Sequence, residues 1–553
     1  VRFLSGILHV LDQKERAKLL LLIFFDVLIS ALDIAFLGLT VLVINFYVKN
    51  STIPYASWLP TSLNNQSSVL LITIFFILFG IKNLIAWYIA SARYRFIYNV
   101  ATRLSEKGIR QYLKKDYLSF VTIDSSVYIR KISNQPIEFS TYILTNLQQI
   151  VSQAVLVFFA LAAIIWYSAK LFLLLFILLM PAIALLGLIL KKRYDHLRKN
   201  IKQTSADTIK NLKEALSSYI ESHIYDKGDF FAGRYYRQQQ QLNHYICTQQ
   251  SLQYLPSRLI EVFAILGFFI LILISKWSVH TPAVDLFTIS VFVAAAYKII
   301  PGIVKIINSA GQMKTYEFVL RDLLKDDQAP YNTTAKQSGS IHSISLKKIH
   351  YKYHDRIVLN GVDFDINPGD FVGLSADSGR GKTTLIHILL GFIEQEDGVV
   401  CVNNQISHAK DRFAWHNRIS YIKQQTFLLY DSIKNNITLE EDNYDEQRLK
   451  ELIATCGLCS LINQYPEGLN RIITENGKNL SGGQRQRVML ARALYHDFDL
   501  LIMDEPFGEM DQQSENEILD SLKQLTHEGK MILFITHNKA GLSFCNKIVS
   551  LND

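Results

Sequence analysis

The chain divides into two halves by its pattern of apolar and polar positions. Over the first half, long apolar runs alternate with polar stretches. Six runs, at about 18–47, 69–92, 138–167, 169–191, 257–275 and 283–308, are long enough to cross a bilayer, for which a helix needs roughly 20 apolar residues. The loops between them are of two kinds. Lys49–Ser68 and Lys276–Pro282 are short and poor in Lys and Arg, whereas two long loops are basic. The first carries Arg93, Arg95, Arg103, Lys107, Arg110, Lys114, Lys115, Arg130 and Lys131; the second carries Lys191, Lys192, Arg193, Arg198, Lys199, Lys202, Lys210 and Lys213. Positive charge beside membrane spans marks the cytoplasmic side. Both long loops, the N-terminus and everything after the sixth run are therefore expected in the cytoplasm. Each long loop exceeds a turn and is expected to consist of helix extensions with a short helix at the bottom. No cleavable leader pattern precedes the first run, and the start of the chain is expected to hold no further domain.

Beyond the sixth run the pattern changes. Residues from about Met313 to Ser340 are polar, and Asp326–Ser340, rich in Asp, Gln, Thr, Ser and Asn, reads as a linker. From about Ile341 short β-branched runs alternate with helical patterns, which predicts an α/β domain. The expected organisation is a six-helix, all-α transmembrane domain over 1–312, a linker over 313–340 and an α/β domain over 341–553.

Composition supports the membrane reading. Of 553 residues, 49% are hydrophobic, with 32 Phe and 27 Tyr, and the mean hydropathy is +0.15, values that a soluble chain of this length rarely reaches. The net charge of +8 belongs to the cytoplasmic loops and does not point to nucleic acid. The basic, Gln- and Tyr-rich stretch Arg234–Tyr254 reads as the solvated face of a long helix. The five Cys are scattered and do not form a disulfide framework. Cys456-Gly457-Leu458-Cys459 lacks the second pair that a metal site needs and is expected to pack a helix.

The chemistry is concentrated in the second half. Phe371–Ser375 reads as a buried strand running into Ala376-Asp377-Ser378-Gly379-Arg380-Gly381-Lys382-Thr383 and then an apolar helix from about Thr384. Strand, glycine loop and helix form the setting of a phosphate-binding loop. Gly379 and Gly381 let backbone N–H groups turn toward phosphate oxygens, and the helix N-terminus adds favourable partial charge. Lys382 would reach the β- and γ-phosphates of ATP and Thr383 would ligate Mg²⁺. Ala376 stands where this loop usually has its first glycine, and the phosphate-facing glycines remain. Leu500–Met503 followed by Asp504 and Glu505 is a second buried strand, ending in two acids. Ligands bind at that end of open α/β sheets. Asp504 suits a Mg²⁺-linked role, and Glu505 suits the general base that polarises the attacking water.

Just upstream lies Leu480-Ser481-Gly482-Gly483-Gln484, which opens a helix reaching Tyr495. With this signature the chain resembles the ABC transporter family over nearly its whole length. The resemblance implies further roles. Gln424 is expected to be the glutamine that joins the metal site, Tyr353 the aromatic that stacks on adenine, and Asp511 the aspartate of the loop after the two acids. Gly508-Glu509-Met510-Asp511 departs there from the usual run of small residues. His537 is expected to sense the γ-phosphate, and Glu475 to contact the coupling loops. The resemblance assigns Ser378, Gly379, Arg380, Gly381, Lys382, Thr383, Thr384, Ser481, Gly482, Gly483 and Gln484 to nucleotide binding, with Thr383, Gln424 and Asp504 around the metal. It further implies that two cassettes pair head to tail, the signature of one over the ATP held by the other. One phosphate loop and one signature per chain then imply a homodimer or a pair of related half-transporters. Leu118–Asp124 and Glu221–Asp229 are the expected contacts between membrane and ATPase parts.

Six spans ahead of the cassette resemble the exporter type, in the cytoplasmic membrane. Charged residues inside spans are expensive. Asp26 and Asp33 share one face of span 1, Lys82 lies in span 2, Glu261 in span 5, and Lys298 and Pro301 in span 6. They either line a cavity or pair with one another, as Asp33 with Lys82 or Glu261 with Lys298. Leu8–Asp12, Asp33, Lys82 and Ser290–Pro301 resemble bacterial flippases of lipid-linked oligosaccharides, with Lys82, Arg93 and Lys298 as headgroup contacts. Exporters of mature small peptides share the architecture and are the alternative; an ATP-gated sensor that moves nothing is a third reading. A soluble ABC ATPase is excluded by the spans.

Overall fold

The computed structural model describes residues 2–48, 69–167, 169–277, 286–327, 339–354, 356–375, 379–440 and 443–551. The chain forms two compact units: Val1–Lys114 with Ile123–Pro330, and Tyr331–Asp553 with Lys115–Thr122.

The first unit is helical. Its elements are α1 (Arg2–Val10), α2 (Gln13–Val48), α3 (Leu70–Leu113), α5 (Ser125–Ile129), α6 (Gln135–Glu138), α7 (Thr145–Tyr167), α8 (Ala169–Ser217), α9 (Tyr219–Ile224), α10 (Gly228–Leu252), α11 (Leu255–Trp277), α12 (Leu286–Thr315) and α13 (Glu317–Asp327), with α4 (Tyr117–Thr122) assigned to the second unit. Among the described residues, all six apolar runs fall on helical stretches; residues 283–285 of the sixth lie outside them. Three stretches among the described residues, Gln13–Thr40, Leu70–Leu113 and Ser125–Trp166, meet both the length and the hydropathy of a span. The third begins earlier than expected because π-helical turns at Arg130–Asn134 and Phe139–Leu144 join α5, α6 and α7 without a break. The surface of this unit is inverted relative to a soluble bundle. Phe76, Trp87, Trp166 and Leu188 are 74%, 68%, 94% and 76% exposed, while Ile97, Phe139, Ile143, Leu186 and Ile260 are fully enclosed. Such a surface suits hydrocarbon.

The basic loops take the expected form. With 44 residues, α3 is roughly 66 Å long, about twice the hydrocarbon thickness of a bilayer. α8 continues for 49 residues through Pro181. The short helices α4 and α9 follow the ends of α3 and α8. Part of the stretch set down as linker is also helical: α13 buries Phe318, Val319 and Leu320 in the core of the first unit, and Gly6 of α1 lies against Leu320 and Leu324. Its apolar positions recur at helical spacing among charged residues, a pattern that polarity averaged over the stretch conceals. Residues 328–338 lie outside the described residues.

The second unit is built on two principal sheets. Its strands are β1 (Ile344–Tyr353), β2 (Arg356–Ile366), β3 (Phe371–Ser375), β4 (Asp397–Val402), β5 (Gln405–Ile406), β6 (Ile419–Ile422), β7 (Asp431–Ser432), β8 (Ile472–Ile473), β9 (Leu500–Asp504), β10 (Met531–Ile535) and β11 (Lys547–Ser550). β2-β1-β4-β5 form an antiparallel sheet, β11-β3-β10-β9-β6 a parallel one, and β7–β8 a small pair. Every residue of β9 and β10 is buried, as expected where both faces of a parallel sheet are covered. From α4, Tyr117 stacks on Phe392 with ring centroids 5.5 Å apart and lies 4.4 Å from His387. Burial, with Lys423 nearby, pushes the His387 imidazole down to about 4. Of the two expected contact regions, residues 118–122 therefore group with the cassette, whereas α9 groups with the membrane helices.

Candidate functional site

Strand order explains how distant residues meet. β3, β10, β9 and β6 are neighbours and run parallel, so their C-terminal ends share one edge of the sheet. Lys382 follows β3, His537 follows β10, Asp504 and Glu505 close β9, and Gln424 follows β6. This edge is the ligand-binding edge of open α/β sheets.

Glu505 is the centre of the cluster. Its Oε1 accepts from Lys382 Nζ at 2.5 Å and its Oε2 from Gln424 Nε2 at 2.8 Å. His537 Nδ1 stands 3.7 Å from Oε1. Burial pushes the Glu505 carboxyl up, but Lys382 and His537 outweigh it and hold the group below its ordinary range. Asp504 moves the other way. It is 5% exposed, and burial together with the Glu505 charge, against Lys382, pushes it up to about 6.

The phosphate loop is described from Gly379 onward; Ala376, Asp377 and Ser378 lie outside the described residues. Gly379 and Gly381 have φ of 81° and 89°, left-handed values that glycine adopts without penalty. A Cβ on Gly381 would fall 2.9 Å from Val358 O and 2.8 Å from Leu359 Cδ2, so this residue must be glycine on two counts. Gly381 caps α14 (Lys382–Leu389), in which Thr384 is buried and Thr383 exposed. Arg380 is exposed. The same β1–β2 hairpin that meets Gly381 carries Tyr353 near its tip, paired with Arg356. Its ring is half-exposed, edge-on to Tyr351 at 5.2 Å.

Thr383 hydroxyl, the Asp504 carboxylate and the Gln424 amide oxygen are hard oxygen donors of the kind Mg²⁺ takes. Asp504 and Glu505 are adjacent acids at the end of β9, a place where a divalent cation would offset their charge. The donor set fits Mg²⁺.

Ser481 caps the helix Gly482–Tyr495. Its Oγ accepts from Gln484 N at 3.3 Å while Gln484 Oε1 accepts from Ser481 N at 3.0 Å, a reciprocal capping box. The helix begins at Gly482, within the signature itself. Asp511 caps the next helix, Gln512–His527, by accepting from Ser514 N at 2.9 Å. Glu475 is exposed and paired with Lys478 at 2.9 Å. Glu509 was not among the candidate residues, yet it contacts the signature helix: its Oε2 accepts from Arg485 Nη2 at 2.8 Å. The signal in the sequence was the acid itself, where small residues are usual.

The remaining singled-out groups are buried or paired. Cys456 is fully buried, and burial pushes its thiol up to about 12, against Arg487. Arg234 pairs with Glu214 at 3.0 Å, tying α10 to α8. Inside the membrane unit, Lys82 pairs with Asp33 and Arg93 with Asp26 at 3.2 Å. Glu261 pairs with Arg258 at 3.1 Å; the Lys298 side chain lies outside the described residues. Lys82 and Arg93, expected as headgroup contacts, are thus engaged by carboxylates of α2.

Comparison with known proteins agrees with this architecture. Residues 359–508 match the family described as ABC transporter. An export ATP-binding/permease protein of Rickettsia bellii is 34% identical over 217 residues, 38% of this chain and 37% of that protein. An ATP-dependent lipid A-core flippase of Saccharophagus degradans is 32% identical over 211 residues, 38% of this chain and 36% of that protein. The chain thus matches little more than a third of the length of these relatives. A solved bacterial Atm1-family ABC exporter with ATP bound shares the fold, with a TM-score of 0.78 over 98% of this chain and 93% of that one, at 15% identity.

Proposed function

The chain has the architecture of an exporter-type ABC half-transporter, and from that premise we propose that two copies, in the cytoplasmic membrane, use ATP hydrolysis to flip a lipid-linked glycan. The observation that carries the ATPase part is the junction of Lys382, Gln424 and His537 on the Glu505 carboxylate. Lys382 is the group that binds β- and γ-phosphates. Once it turns to them, Glu505 loses its cation and becomes the base for the attacking water. His537, beside Glu505, reaches toward the γ-phosphate, and Tyr353 stacks on adenine. Residues 378–384 cradle the phosphates. Thr383, Asp504 and Gln424 would hold Mg²⁺, which when bound would supply charge neutralisation for the phosphates. Ser481, Gly482, Gly483 and Gln484 of one subunit cover the ATP of the other, with Asp511 beside the joint. The approach and parting of the cassettes is passed on through α4 and α9.

The substrate rests on less. Two relatives are named lipid A-core flippases, and Lys82 and Arg93 lie in the apolar helix α3, where an anionic lipid headgroup would have to displace Asp33 and Asp26 to reach them. The test is ATP hydrolysis by the full chain in lipid nanodiscs, with Glu505→Gln as the blank. General-base loss lowers hydrolysis by about 100-fold or more; an unaltered rate in Glu505→Gln refutes the base assignment. A lipid-linked oligosaccharide should stimulate the wild type. Stimulation by a small mature peptide alone replaces the flippase reading with peptide export, and no hydrolysis above the blank replaces both with an ATP-gated sensor.

A further inference from the structure

The loop Gly508–Asp511 carries an acid, Glu509, that reaches the first turn of the signature helix of its own chain. A Cβ placed on Gly482 would fall 1.5 Å from Glu509 Oε2 and 2.6 Å from its Cδ. The carboxylate therefore fills the space that the missing side chain of Gly482 leaves open. Three contacts fix it there. Arg485 Nη2 donates to Oε2 at 2.8 Å, Arg485 Nη1 is anchored on Leu480 O at 3.1 Å, and the Glu509 N–H donates to Gln486 Oε1 at 3.1 Å. The Gly483 position is close to the same loop, with a Cβ there 3.2 Å from Glu509 O.

The first N–H groups of a helix have no partner within it and favour negative charge. In the head-to-tail pairing proposed above, this same turn receives the γ-phosphate of the ATP held by the other subunit. Two anions cannot share one turn. We propose that Glu509 is a built-in competitor for that turn, an anion of the same chain that the γ-phosphate of the opposite site must displace before the two cassettes close. Arg485 is then its keeper: it holds the carboxylate on Gly482 and receives it when phosphate arrives. Glu509 thereby sets the ATP concentration at which the dimer closes, without taking part in the chemistry at Glu505. With a small residue at this position the space over Gly482 would stand open to the phosphate.

The inference rests on the two-cassette reading, and the experiment separates the two. Full-length protein in nanodiscs carrying Glu505→Gln is titrated with ATP, and closure is followed by distance labels on the two cassettes. Hydrolysis is titrated in parallel in protein with Glu505 intact. Glu509→Gln, which keeps shape and removes charge, and Glu509→Ala should each lower the half-saturating ATP by about 3- to 10-fold, with kcat changed less than twofold. Ser481→Arg should abolish closure at any ATP concentration. If Ser481→Arg closes as the wild type does, the two-cassette reading fails and this inference with it. If Ser481→Arg blocks closure but both Glu509 variants keep or raise the half-saturating ATP, only this inference fails. Loss of kcat and of thermal midpoint in both variants, with half-saturating ATP unmoved, gives Glu509 a structural role and likewise overturns it.

Discussion

Two adjacent carboxylates end β9, and their environments push them in opposite directions. A strand sends successive side chains to opposite faces. Glu505 breaks that alternation, because its φ of 49° is left-handed, a conformation that costs a non-glycine residue roughly 1 kcal/mol. The turn lets both acids interact with Lys382. The consequence for Asp504 can be measured. Its carboxyl is raised from 3.8 to about 6 in the folded protein, so the folded state holds this proton more tightly than the unfolded chain does. Its contribution to stability therefore falls as pH rises from the lower value through the upper one, and above that window the charged group is a net cost. Asp504→Asn should raise the thermal stability of protein without added nucleotide by on the order of 1–3 kcal/mol at neutral pH, and by almost nothing near pH 4. The same variant should lose Mg²⁺-dependent hydrolysis. Melting curves at the two pH values decide it; equal melting temperatures at neutral pH contradict the account.

At the scale of elements, α2 and α3 are joined by ionic rungs along their length: Glu15 with Arg103 at 2.7 Å, Asp26 with Arg93, and Asp33 with Lys82. Lys82 is nearly enclosed and its ammonium also lies 4.9 Å from the centre of the Phe79 ring and 5.8 Å from that of Phe36. Removing one member of such a pair strands the other in an apolar setting. Replacing both by apolar residues need not destabilise. Lys82→Met alone should lower thermal stability by about 1–3 kcal/mol, and Lys82→Met with Asp33→Leu should regain most of it. A single variant as stable as the wild type would show that the rung carries no weight. Recovered stability with lost flipping in the double variant would give these charges a part in handling substrate as well.

At the scale of the molecule, each chain carries one phosphate loop and one signature. The short helix α9, following α8, carries Tyr219, Ile220, Ile224 and Tyr225 all exposed, an apolar patch of the kind that marks interaction sites. Both fit the proposed dimer, in which each ATP site would borrow from the other subunit. Mixing subunits tests this. Lys382→Ala and Ser481→Arg should each be inactive as homodimers. In the mixed dimer one site has both defects and the other has neither, so hydrolysis should return when the two variants are co-expressed. Sites built within one chain would leave the mixture as inactive as its parts.

The apolar periodicity alone determined the six long helices, because a span must satisfy its backbone internally and present hydrocarbon along some 20 residues, a demand too strong to hide. The glycine loop, the strand ending in Asp504 and Glu505, and the signature were equally legible, since phosphate binding restricts residue type and spacing within a few positions. Helix α13 was missed because its apolar positions are interspersed with charge, and burial against α1 is decided by packing. Only the tertiary structure decided which carboxylate each membrane cation meets, that Glu505 joins Lys382, Gln424 and His537, and that Glu509 lies on Gly482. These contacts link residues brought together by strand order, helix pairing and a loop's path. A one-dimensional pattern specifies which side of an element is apolar, but not which neighbour that element will face.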